Sequence, residues 1–202
     1  MTTRLLLQLG AATALLLAAA TAQAHSDQAT TGGLLAGYLH PLTGLDHLLA
    51  MVAVGIWGAT LGRPLIWALP VAFPLLMVVG GVLGIAGVPL PAVETGVALS
   101  VVVLGLAILA AWPAPVAVAV AVAIVAVFGV LHGHAHGTEL PGSAAPAAYA
   151  VGFVISTGLL HLAGIAIGAL RSLPAGPVAL RAAGGLIAAV GVWILIDMPG
   201  AG

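Results

Sequence analysis

The sequence predicts an all-α polytopic membrane protein, a bundle of six transmembrane helices after a cleavable signal peptide. Of its 202 residues, 62% are hydrophobic and only 4% are charged. Soluble domains carry about 25% charged residues, so lipid rather than water is the expected solvent. Pro and Gly also divide the chain into apolar segments of about 20 residues, the length that spans a bilayer as a helix.

The N-terminus has the pattern of a secretory signal. Arg4 supplies a positive start, an apolar run follows from Leu5 to Ala20, and residues 22–24 form an Ala-Gln-Ala cleavage site. The run is short for a transmembrane helix, and an uncleaved first helix is the alternative. We therefore expect a signal peptide at 1–24 and a mature chain that begins outside the membrane at His25, which is a further candidate metal ligand.

The mature chain, 25–202, is predicted to be a single six-helix transmembrane domain. The predicted spans are 41–61, 64–86, 91–111, 115–133, 146–170 and 176–196. The longest break runs from Gly133 to Pro146, and the connections are too short to hold a soluble domain.

The arginines predict the orientation. With the mature N-terminus outside, Arg63 and Arg171 fall in inner loops and Arg181 at the inner end of the last span, which satisfies the positive-inside rule. The protein is therefore expected in a bacterial inner membrane with a periplasmic N-terminus. In this frame the acidic residues of the spans and loops, and every histidine except His161, lie at or near the outer side.

Composition excludes several classes of protein. The chain has no cysteine, which removes disulfides, thiolate metal sites and iron–sulfur clusters. It has no basic patch, so nucleic acid is not an expected partner. The seven histidines outnumber both the acidic and the basic residues, and this excess in so apolar a chain requires an explanation.

A first histidine cluster begins the first predicted span. Pro41 suits the first position of a helix, so His40 is expected at the helix mouth. His40, Gly44, His47 and Met51 then follow at i, i+4, i+7 and i+11, which is one helical face. Glycine on that face permits the close approach of a backbone or an ion.

Asp46 precedes the second histidine of this cluster. An aspartate near the bilayer centre costs roughly 2.5–3.5 kcal/mol on insertion scales, which makes it a candidate for function. It is expected either to bind a metal or to orient the imidazole of His47 as a hydrogen-bond acceptor. A helix cap or a buried hydrogen-bonded pair is the alternative.

A second cluster follows the fourth span, where residues 131–139 read Leu-His-Gly-His-Ala-His-Gly-Thr-Glu. His132 and His136 are suitably spaced for two ligands if the helix continues, whereas an extended chain aligns them with His134. Together with Glu139 they suit Zn, Cu, Fe, Co or Ni rather than Mg or Ca. A solvent-exposed loop with incidental metal affinity is the alternative.

Two further polar residues stand apart. His161 lies near the middle of the fifth span, where it is either a packing residue or a deeper stop for an ion or proton. Glu94 begins the third span and is either a metal ligand or a carboxylate that interacts favourably with the helix dipole.

The two clusters resemble the signatures of the HupE/UreJ family of nickel/cobalt permeases. The first signature is met by His40, Pro41, Asp46, His47, Ala50 and Met51, and the second by His132, Gly133, Ala135, His136, Gly137 and Glu139. Leu131 stands where the family has Phe, and His134 occupies a variable position. The resemblance implies uptake of Ni²⁺ or Co²⁺, often for hydrogenase or urease assembly, and no enzyme activity or resident cofactor.

The sequence is also compatible with alternatives to a permease. A periplasm-facing metal-binding or sensor protein would bind the same ions without moving them, and a b-type cytochrome would need facing histidines at matching depth. An intramembrane metallohydrolase would need a His-Glu-x-x-His motif, which the sequence lacks. Oligomeric state, including a homo-oligomer, is left open.

Overall fold

The computed structural model describes residues 33–111, 114–139 and 146–198, and the regular structure within these ranges is helical. The helices are α1 Gly33–Thr43, α2 Leu45–Leu61, α3 Leu65–Ile85, α4 Val93–Ala110, α5 Ala114–Thr138, α6 Pro146–Gly168, a 3-10 turn at Ala169–Ser172, and α7 Gly176–Asp197. The predicted signal peptide and His25 lie outside the described residues.

The helices have the length and composition of membrane spans. Among the described residues, the five helices α3 to α7 are each long and apolar enough to cross a bilayer. The bent pair α1–α2 makes a sixth span if the two helices are counted as one. In the packed bundle α3 lies against α5, α4 against α7, and both α1 and α2 against α6. The predicted all-helical membrane bundle is confirmed.

The prediction of one continuous helix at 41–61 is wrong. The chain bends by 82° between α1 and α2, at Gly44, whose backbone is extended with φ −90° and ψ 118°. Pro41 consequently lies inside α1 rather than at the start of a helix. The cause is tertiary packing, because α1 lies against α6 with Gly37 on the carbonyl of Tyr149, and only a break lets α2 turn into the bundle.

The fourth span is longer than predicted. The sequence predicts an end at 133, but α5 continues to Thr138. The second histidine cluster is therefore helical, and the extended alternative is wrong. Glycine disfavours a helix by about 1 kcal/mol. Here Gly133 and Gly137 lie directly against the backbone of α3, and this close packing outweighs the low propensity.

The charged residues are separated along the bundle. His47 begins α2, whereas Thr60 lies near its other end, about 20 Å away at 1.5 Å per residue. There the Nη1 of Arg171 donates a hydrogen bond to the Thr60 carbonyl, at 3.0 Å. Arg63 follows α2, and Arg181 lies in the early part of α7 beside the end of α4. The three arginines of the described residues thus occupy the end of the bundle opposite to His40, His47 and His136, and which side of the membrane each end faces stays a prediction.

Candidate metal site

Three predicted ligands meet at the end of the bundle opposite to the arginines. His40 of α1, His136 of α5 and Glu139 just beyond α5 each contribute one ligand atom, and these atoms all lie within 4.8 Å of one another. The His40 Nε2 lies 3.3 Å from a carboxylate oxygen of Glu139. We call these three residues the outer triad. Its two imidazoles and one carboxylate are donors that suit a divalent transition metal.

The imidazoles continue inward from the outer triad. The centroid of the His136 ring lies 4.7 Å from that of His40 and 4.4 Å from that of His47. The His47 ring in turn lies 4.8 Å from that of His132. These four residues, the histidine cluster, come from α1, α2 and α5. The bend at Gly44 brings His40 and His47 together, rather than the shared helical face that the spacing predicted.

Exposure is highest at the outer triad and lowest at His132. The exposed fraction of the side chain is 49% at Glu139 and 27% at His40, while His132 is fully buried. Both His136 and His47 are also buried. The cluster is therefore open at its outer end and closed at its inner end.

Asp46 orients His47. The carboxylate Oδ1 lies 2.7 Å from the His47 Nδ1 and also accepts the backbone N–H of His47, at 2.8 Å. Because a carboxylate can only accept, a neutral His47 carries its proton on Nδ1 and its lone pair on Nε2. Within the described residues that Nε2 is buried and has no hydrogen-bond partner. This geometry favours the orienting role among the alternatives for Asp46, since metal-binding histidines usually donate their second N–H to such a partner.

Other ring nitrogens of the cluster also have no partner. In the described part of the chain these are the Nδ1 of His132 and both nitrogens of His136. Buried polar atoms are normally hydrogen-bonded, and each exception requires a cause. Coordination of a cation satisfies imidazole lone pairs, so the unpartnered nitrogens fit a site for a metal ion.

The Glu139 carboxylate stands outside the transmembrane segments and is tuned by its neighbour. A hydrogen bond from His40 lowers the pKa of Glu139 below its ordinary value, more than partial burial raises it. Glu139 therefore carries its negative charge at neutral pH, as a group that attracts cations requires.

Two predicted ligands lie beside the cluster rather than in it. The Nε2 of His134 is 2.7 Å from the carbonyl of Val88, so this histidine ties α5 to the connection between α3 and α4. Glu94 is exposed in the first turn of α4, where its electrostatic neighbours are Glu139, His47 and Asp46.

His161 lies deeper and contacts an aromatic ring that also contacts His132. The centroid of the buried Phe73 ring is 5.4 Å from that of His132 and 5.8 Å from that of His161. Neither nitrogen of His161 has a hydrogen-bond partner among the described residues, although the Pro70 carbonyl lies close to the ring. That carbonyl lacks its usual helical donor because Pro74 has no N–H.

Sequence reasoning missed several residues around the cluster. The ring of Phe153 lies 4.2 Å from that of His136, and Tyr149 lies 5.8 Å from His40. Phe73 and Ser100 also contact His132. The signal that could have identified Ser100 is a lone hydroxyl in an otherwise apolar stretch of α4. The aromatic residues gave no such signal, because their contacts depend on how the helices pack.

Comparison with known proteins identifies the family of the chain. A family model described as HupE / UreJ protein matches residues 13–194. The chain belongs to the HupE/UreJ family. The curated Protein HupE from Rhizobium leguminosarum bv. viciae is 46% identical over 164 residues, which cover 81% of this chain and 85% of that protein. No solved structure matches. The family predicted from the two motifs is confirmed.

Proposed function

We propose that this member of the HupE/UreJ family is a permease that carries a divalent transition-metal ion, Ni²⁺ or Co²⁺, inward across a bacterial inner membrane. The observation that carries the proposal is the continuous series of imidazoles from the exposed outer triad to the fully buried His132. A site that only binds metal does not require ligands that lead progressively into the membrane.

The first step is capture at the outer triad. Glu139 is negatively charged and half exposed, so it attracts a hydrated cation, and His40 and His136 replace part of the hydration shell. A bare ion in a low-dielectric interior is very costly. Imidazole ligands therefore have to be supplied before water is lost.

The ion then moves to His47 and His132. Neighbouring ring centroids lie 4.4 to 4.8 Å apart along this part of the series, so an ion between two rings can bind the next ligand before it leaves the last. The Asp46 carboxylate adds negative charge beside His47, at 2.7 Å from its ring. This charge offsets part of the cost of holding a divalent cation there.

Phe73 closes the inner end of this path. Its ring contacts those of both His132 and His161, and a rotation of the ring would open the way to the deeper imidazole. His161 is then the next ligand, and the arginine-rich end of the bundle faces the cytoplasm, as the positive-inside rule requires.

Membrane potential is a sufficient driving force. Moving one charge inward across 100 mV is worth about 2.3 kcal/mol. A divalent ion gains about twice that, which supports a concentration ratio of roughly a thousandfold. The sequence contains no P-loop motif, and this mechanism needs no nucleotide.

The choice of nickel or cobalt rests on the family resemblance, since imidazole and carboxylate ligands also suit zinc. Delivery to hydrogenase or urease assembly is a proposal on the same basis. A b-type cytochrome is disfavoured because the rings of the described cluster contact one another directly, which leaves no space for a porphyrin between them.

Flux and binding measured side by side test the proposal. Proteoliposomes with wild type, Asp46→Asn or His47→Ala are loaded with a metal-sensitive dye and given Ni²⁺, Co²⁺ or Zn²⁺, and Asp197→Asn serves as a carboxylate control at the exposed end of α7. We expect influx with wild type and the control, and a loss with the two site variants. Wild-type protein that binds metal without influx would indicate a binding or sensor protein and overturn the proposal.

A further inference from the structure

Ser100 is a buried hydroxyl that contacts the innermost histidine of the cluster. It lies in α4 and is fully buried, as is His132. Its Oγ is 2.8 Å from the His132 Nε2 and 2.6 Å from the carbonyl oxygen of Val97 in its own helix. Ser100 belongs to neither histidine motif.

The single proton of the hydroxyl determines the direction of both hydrogen bonds. Two oxygens 2.6 Å apart repel unless a proton lies between them, and this distance is typical of an O–H···O bond. The Val97 carbonyl has no proton, so Ser100 donates to it. The serine oxygen then accepts, and His132 must donate its Nε2–H.

We propose that Ser100 is a positioning residue that holds His132 as the Nε2–H tautomer and so presents Nδ1 as its metal-binding atom. That Nδ1 is buried and has no hydrogen-bond partner among the described residues. The inference rests on the proposed function, because it assigns a role within the same path. It goes further in assigning which atom of His132 receives the ion.

The Ser100–His132 pair resembles the Asp46–His47 pair, except that the oxygen contacts the other ring nitrogen. There Asp46 accepts from Nδ1 and leaves Nε2 free, whereas Ser100 accepts from Nε2 and leaves Nδ1 free. The two rings are neighbours with centroids 4.8 Å apart. One partner is charged and the other neutral, so the deeper histidine is oriented without adding a second carboxylate to the membrane interior.

Nitrogen NMR tests the assignment on the atoms themselves. Protein labelled with ¹⁵N-histidine is placed in nanodiscs, and the His132 signals are identified by their loss in His132→Gln. Without metal we expect a protonated Nε2 and an unprotonated Nδ1. Saturating Zn²⁺, a diamagnetic probe, should then shift Nδ1. Coordination at Nε2 with loss of its proton, or no metal-induced shift at His132, overturns the proposal.

Substitutions test the role of the hydroxyl. Loss of such an orienting partner typically weakens metal affinity by roughly 10-fold to 100-fold, so we expect this for Zn²⁺ with Ser100→Ala and recovery with Ser100→Thr. Ser156→Ala is the matched control, since Ser156 is a buried serine with no hydrogen-bond partner among the described residues, and it should bind as wild type. Wild-type affinity of Ser100→Ala would contradict the inference.

These measurements separate the inference from the proposed function. The NMR experiment and the affinity measurements both use zinc binding at equilibrium, and neither requires transport. Zinc bound through Nδ1 in a protein without influx would overturn the permease and leave the role of Ser100 intact. Metal influx with zinc bound through Nε2 would support the permease and overturn the role of Ser100.

Discussion

Replacement of Gly133 by alanine should separate α3 from α5 and weaken metal binding. An ideal Cβ at this position lies 2.6 Å from the Met77 Cα, whereas ordinary contact begins at 3.4 Å. The two helices must therefore part by about 0.8 Å or more. Overpacking of this kind costs about 1–3 kcal/mol, and the better helix propensity of alanine returns at most about 1 kcal/mol.

The shift also moves two ligands. His132 and His136 flank Gly133 on α5, and metal sites tolerate deviations in ligand distance of only about 0.2 Å. We expect the variant to unfold at a lower temperature than wild type, as measured by tryptophan fluorescence in detergent. We also expect its affinity for Co²⁺, measured by absorption titration, to fall by an order of magnitude, about 1.4 kcal/mol. Gly158→Ala is the control, because no atom lies within 4 Å of the Cβ it adds. Wild-type stability and affinity of Gly133→Ala would refute the close packing of α3 and α5.

The remaining predictions use the same Co²⁺ titration. His136→Ala should weaken binding strongly, whereas His134→Ala should lower thermal stability and leave affinity unchanged, because His134 bonds to a backbone carbonyl outside the cluster; equal losses of affinity would contradict this separation. The pKa of Glu139 lies below its ordinary value, so the group stays ionised from about pH 8 down to about pH 5. Glu139→Gln should therefore reduce affinity throughout that range, and wild-type affinity of this variant between about pH 5 and about pH 8 would count against a role of the charge in metal binding. Gly44→Ala brings a Cβ within 3.0 Å of the His47 Nδ1, so it should disturb the carboxylate–imidazole pair and weaken binding, and unchanged affinity would exclude that contact.

The motif around the second histidine cluster has two structural roles at once. In a helix, His132 and His136 share one face, while Gly133 and Gly137 share the next. The glycine face lies against α3, and the histidine face joins the cluster. From the sequence alone, His132 and His136 form a ligand pair only if the segment is helical, and glycine permits both a helix and an extended chain. Only the backbone of α3, which is distant in sequence, decides between them.

Composition and span length are sufficient to predict the membrane bundle, because few charges and long apolar runs both indicate a chain that is surrounded by lipid. The ligand-bearing residues were also accessible, since histidines and carboxylates are conspicuous in apolar helices. The bend at Gly44 could not be predicted from the sequence, because it follows from the packing of α1 on α6. The apolar pattern of 41–61 is the same for a straight and a broken span.

The inner boundary of the site depends on contacts between distant segments. Phe73 contacts both His132 and His161, yet in the sequence it is one apolar residue among many in α3. Ser100 differs from its neighbours by a hydroxyl, but its importance appears only when α4 meets α5. Positions that carry a charge or an imidazole can be found from the sequence, whereas those that act by orientation or closure require the packed structure.

The proposed function requires that the imidazole series conducts a divalent metal ion. The most direct test is the initial rate of Ni²⁺ or Co²⁺ entry into wild-type proteoliposomes as a function of an imposed membrane potential. We predict a rate that rises steeply as the interior becomes more negative. Entry no faster than into protein-free vesicles at any potential would contradict the account.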